Sequence, residues 1–76
     1  MTKQKINRAI QHLGMQIVGR RGAGYFYFVG TDSIIGQIGK SVMVCYLHQQ
    51  SLTRWVEDAE YALTEYKAEQ LELANL

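Results

Sequence analysis

The sequence predicts an α+β fold: a helix, a three-stranded antiparallel sheet and a second helix (αβββα), forming a two-layer single domain over residues 1–76. Three observations predict it. Apolar residues recur at helical spacing towards both ends of the chain, and runs rich in aromatic and β-branched residues fill the middle. Glycine-rich or short polar turns separate those runs. The organising stretch is Gly19-Arg20-Arg21-Gly22-Ala23-Gly24-Tyr25-Phe26-Tyr27-Phe28-Val29-Gly30, a glycine-rich turn feeding a strand that is apolar on both faces. Such a strand suits the centre of the sheet, and each face needs either cover or a partner.

Thr2 is placed to cap a first helix over residues 3–13, in which Ile6, Ala9, Ile10 and Leu13 form one stripe. Gly14 supplies the left-handed stop. Residues 15–20 then read as the first strand, with Met15 and Ile17 alternating against Gln16 and Val18. A turn over residues 21–24 joins it to a second strand over 25–30, which makes a hairpin. Thr31-Asp32-Ser33 is turn chemistry, and residues 34–39 read either as a loop with apolar anchors or as an irregular sheet edge. A third strand is expected over 41–47, with Val42, Val44 and Tyr46 on one side and Met43, Cys45 and Leu47 on the other. Ser51 caps the last helix, over 52–70, whose inner stripe is Leu52, Trp55, Val56, Ala59, Leu63 and Tyr66. Leu71, Leu73 and Leu76 follow without a strong register, so the tail is expected to fray.

Composition narrows the functional classes. A chain this short buries only about 60% of its unfolded surface, so a homodimer is a reasonable expectation, with Tyr61, Leu63 and Leu71 or the edge of the third strand as its seam. One cysteine, Cys45, excludes an internal disulfide and a cysteine zinc cluster and fits a reducing cytoplasm. No apolar run has the length of a membrane span, and residues 1–14 lack the apolar core of a signal peptide, so a cytoplasmic protein without a membrane partner is expected.

The near-zero net charge conceals two opposed halves. In residues 1–50, Lys3, Lys5, Arg8, Arg20, Arg21 and Lys40 oppose Asp32 alone. In residues 51–76, Arg54 and Lys67 face Glu57, Asp58, Glu60, Glu65, Glu69 and Glu72. Halves of opposite sign attract different partners, or each other.

The candidate chemistry is sparse. Cys45 with His48 or His12 is a conceivable nucleophile and base, but a mid-strand thiol among apolar neighbours is normally inert. Only Asp32, outside the last helix, is available to orient either histidine. Neither a catalytic residue nor a metal or other cofactor is therefore expected. Gly19-Arg20-Arg21-Gly22 resembles the GXXG loop of KH RNA-binding domains, although there the loop joins two helices and here aromatic residues follow. The helix–three strands–helix order is similar to the double-stranded-RNA-binding domain. That family's lysine cluster is replaced here by Arg54 and the pair Glu57-Asp58, whose helix would repel phosphate.

A longer resemblance covers roughly residues 6–63. His12-Leu13-Gly14, Ile17-Val18-Gly19, Arg21-Gly22 and Gly24-Tyr25-Phe26-Tyr27-Phe28 form its first half. Gly39-Lys40-Ser41-Val42-Met43-Val44 and Leu52-Thr53-Arg54-Trp55-Val56-Glu57-Asp58-Ala59-Glu60 complete it. This is similar to short hypothetical proteins of bacteriophages and prophages. The resemblance implies an accessory protein of a mobile element, a class that includes anti-CRISPR and other counter-defence inhibitors. The leading expectation is a non-enzymatic protein that inhibits or adapts a host protein or nucleoprotein complex. Glu57, Asp58, Glu60 and Glu65 would meet a basic groove, with Tyr25 and Tyr27 as anchors. The alternative is a nucleic-acid-binding module using Lys3, Lys5, Arg8, Arg20, Arg21 and Lys40.

Overall fold

The computed structural model describes residues 1–20, 22–31 and 37–74. Arg21, the Asp32-Ser33 part of the predicted turn, residues 34–36 and Leu76 lie outside the described residues. The order of elements is α1 (Lys3–Ile10), β1 (Met15–Gly19), β2 (Phe26–Gly30), β3 (Gln37–Val42) and α2 (Leu52–Ala74). A 3₁₀ turn at Gln11–Leu13 extends α1, and another at Leu47–Gln49 precedes α2. This is the predicted α+β arrangement, a small domain with its antiparallel sheet ordered β1-β2-β3 and the aromatic strand in the middle.

Local chemistry explains the boundaries. The Thr2 hydroxyl accepts from the Lys5 amide at 3.2 Å and caps α1. The last turn tightens to 3₁₀ before Gly14, at φ 72°, bonds back to the Gln11 carbonyl at 2.9 Å. Ser51 Oγ accepts from the Arg54 amide at 3.1 Å and opens α2. Between β1 and β2, Gly19 has φ 152°, and a Cβ there would lie 2.6 Å from the Phe26 ring. Only glycine fits that turn.

Both helices lie on one face of the sheet. α1 packs on β1, α2 packs on β3, and the helices touch each other. Asn7 of α1 fixes this arrangement, because its Oδ1 accepts the Ile17 amide of the edge strand β1 at 2.7 Å. The core contains Ile6 and Ile10 from α1, Met15 and Ile17 from β1, Phe26 and Phe28 from β2, and Trp55, Ala59 and Ala62 from α2. Trp55 is its hub. It meets Phe26 edge-on at 5.9 Å and 88°, and Phe28 at 6.5 Å and 75°. Its indole N–H donates to the Leu47 carbonyl at 2.9 Å, which leaves this large ring wholly buried and hydrogen-bonded.

Two predicted elements need correction. The third strand occupies Gln37–Val42, not residues 41–47. Val42 pairs with Phe26, the first residue of β2, so the chain beyond Val42 has run past the end of its partner. There the Gln49 side chain takes the amides of Cys45 and Tyr46 at 2.7 and 2.8 Å, and a 3₁₀ turn replaces the ladder. Cys45 is accordingly a half-buried residue of the connector rather than a mid-strand core thiol. β3 is also irregular: Tyr27 faces Ser41 while Phe28 faces Ile38, so residues 39 and 40 have no counterpart opposite. The second correction concerns α2, which continues to Ala74 instead of ending near residue 70, with Leu71 and Leu73 exposed on it.

Candidate functional site

The predicted anchors and acids do not share a surface. Phe26 and Phe28 point at Trp55, so the alternating Tyr25 and Tyr27 project from the opposite face of the sheet. The acids sit on α2, behind the helix-covered face. The sheet therefore lies between the two groups.

On α2 the packed stripe through Trp55, Ala59 and Ala62 sets which side faces outwards. Glu57, Tyr61 and Glu65 follow at intervals of four residues on that outer side, with Glu60 on its flank, and all four are exposed. Asp58 is different. Its carboxylate accepts from Gln50 Nε2 at 3.0 Å and lies 3.4 Å from Arg54 Nε. It ties the connector to the helix and, unlike the other three predicted acids, is half-buried. The aromatic residue among the acids is Tyr61, with half its surface exposed. Its phenol donates to the Glu65 carboxylate, and that bond and the neighbouring negative charge raise its pKa above the ordinary value. The four-residue spacing of Glu57, Tyr61 and Glu65 is the sequence signal for this row. α2 also outruns the core: Tyr66 is the last residue packed on it, and residues 67–74 are all exposed.

The open face of the sheet is of another kind. The Tyr25 and Tyr27 rings lie nearly parallel, 6.2 Å apart at 26°. Together with Val18, Gly19, Arg20 and Ala23 they line a shallow depression of about 210 Å³. Val18 is the cross-strand partner of Tyr27, and Gln16 that of Val29.

Among the described residues, the basic side chains lie at separate places. The Lys3 ammonium donates to the Gly19 carbonyl, which brings it to the hairpin beside Arg20. Lys5 and Arg8 lie three residues apart on α1, and Arg8 lines a separate depression with Asn7, Met15 and Thr31. Arg21 and the side chain of Lys40 lie outside the described residues.

Tyr46 and His48 make a feature that the strand prediction for 41–47 conceals. The 3₁₀ turn stacks their rings at 5.7 Å and 20° over a pocket of about 260 Å³ that includes Met1, Lys3 and Phe26. His12 is exposed on the other 3₁₀ turn. Among the described residues, no three His, Cys, Asp or Glu side chains cluster to hold a metal. Within the same residues no helix is long and apolar enough to cross a membrane. No family model, no curated protein and no solved structure matches the chain.

Proposed function

We propose that this is a non-enzymatic binding protein that inhibits or adapts a larger host protein or nucleoprotein complex in the bacterial cytoplasm, with the outer side of α2 as its contact. The observation that carries the reading is the exposed row Glu57–Tyr61–Glu65, flanked by Glu60, on a helix packed against the core. Three acids around a half-exposed tyrosine suit a basic groove, since long-range attraction guides encounter and an aromatic ring supplies contact area at low entropic cost. The projecting end of α2 lengthens that ridge. The resemblance to short phage and prophage proteins points to a mobile-element accessory role, counter-defence inhibition included. It assigns no target.

The test is affinity capture from a bacterial lysate, treated and untreated with nuclease, using the natural chain and the double variant Glu57→Lys/Glu60→Lys. The reading expects a stoichiometric protein that survives nuclease and is lost from the variant. Equal recovery by both chains, or no protein at all, would contradict it.

A further inference from the structure

We infer that the open face of the sheet is a binding surface for single-stranded nucleic acid, with bases on Tyr25 and Tyr27 and an adjoining phosphate on Arg20. This goes beyond the docking role of α2, which lies on the other side of the molecule, and does not depend on it.

Both helices cover the same face of the sheet, so neither packs over the residues that β1 and β2 project from the other face, where Tyr27 is half-buried and Tyr25 exposed. Two of those residues are tyrosines whose rings already lie nearly parallel, and Tyr25 is almost half exposed. Every base has a π face, and successive aromatic rings on a strand give a platform that holds bases without regard to sequence. Val18, packed cross-strand beside Tyr27, keeps the floor apolar and low.

Charge then favours nucleic acid over an acid-rich or neutral protein surface. Arg20 lines the same depression as both tyrosines. Every acid among the described residues belongs to α2, behind the sheet. Aromatic rings bordered by an arginine, with the acids set apart, match a polymer of neutral bases on an anionic backbone. The hairpin also leaves room for that backbone, because Gly22 and Gly24 have no neighbour within 4 Å of where a Cβ would stand.

The test is fluorescence anisotropy with labelled twelve-nucleotide oligo-dT and oligo-U, and a duplex of the same length, over a salt series. The chain is expected to bind a single strand more tightly than the duplex, and the DNA and RNA arms show which sugar it prefers. Tyr25→Val and Tyr27→Val keep the strand propensity and remove the ring, and each should weaken binding about tenfold. Tyr27→Phe should bind like the natural chain. Arg20→Ala should reduce the slope of log affinity against log salt by about 0.7, the value for a single phosphate that is no longer neutralised. The Glu57→Lys/Glu60→Lys variant, which breaks the proposed protein contact, should bind the oligonucleotide at least as well. No binding to either single strand at low salt would overturn the inference. So would valine variants that bind like the natural chain, or a duplex bound equally well.

Discussion

Replacing Trp55 with phenylalanine tests how the core holds the connector to α2. The indole is fully buried between Phe26 and Phe28, and its N–H is bonded to the Leu47 carbonyl at 2.9 Å. Phenylalanine keeps an aromatic ring against both neighbours but removes the donor and leaves a small void. Orphaning a carbonyl costs about 1–3 kcal/mol, and Leu47 is only half-buried, so water can relieve part of that. Taking the lower end and adding about 1 kcal/mol for lost packing gives about 2 kcal/mol. A domain of this size has a total stability of about 4–11 kcal/mol, so the loss is a substantial fraction. At about 4–8 °C per kcal/mol, thermal unfolding followed by circular dichroism should shift down by about 8–16 °C. Urea unfolding should show a lower midpoint with an unchanged slope. A shift of under about 3 °C would refute the reasoning, because neither the hydrogen bond nor the ring volume would then matter.

Other expectations follow from the same geometry. Gly19→Ala should cost about 2 kcal/mol or more, since its φ is strained for alanine and its Cβ would strike Phe26, whereas Gly22→Ala meets open space and should cost about 1 kcal/mol. Equal losses in urea unfolding would contradict that contrast. Tyr61 should lose its phenolic proton at higher pH than an ordinary tyrosine, and Glu65→Gln should bring it back towards the ordinary value, read by ultraviolet absorbance. Because the folded pKa is raised, the associated stability is present below the unfolded pKa and fades as pH rises through the folded one, at the alkaline side of the ordinary phenol range.

Much of the fold is legible in the sequence because local signals agree with the global arrangement. Thr2, Gly14 and Ser51 cap or stop the elements expected of them, and the stripe through Trp55 and Ala59 is the buried side of α2. The third strand is misplaced because alternation in 41–47 looks the same whether or not a partner strand lies opposite. Its true extent is set by where β2 begins at Phe26 and by the Gln49 side chain capturing two amides, both of which are tertiary facts. The end of α2 is underestimated because residues 67–74 continue without burial, and burial is what a stripe reports.

The candidate surfaces are only partly legible. Alternation along β2 separates Tyr25 and Tyr27 from Phe26 and Phe28, but only the packing of Trp55 on the phenylalanines shows which pair faces the helices. That packing rules out joining Tyr25 and Tyr27 to the α2 acids in one contact, and Tyr61 takes their place beside the acids. Asp58 could not be separated from its neighbours by sequence, because its partner Gln50 lies across a helix start.

The most direct test of the α2 contact is an amide chemical-shift map of the ¹⁵N-labelled chain titrated with the captured, nuclease-treated protein partner. Shifts are predicted along Glu57, Glu60, Tyr61 and Glu65 and onwards through the projecting end of α2, with Tyr25 and Tyr27 unmoved. Shifts concentrated on the tyrosine face of the sheet, with the outer side of α2 silent, would contradict the proposed contact.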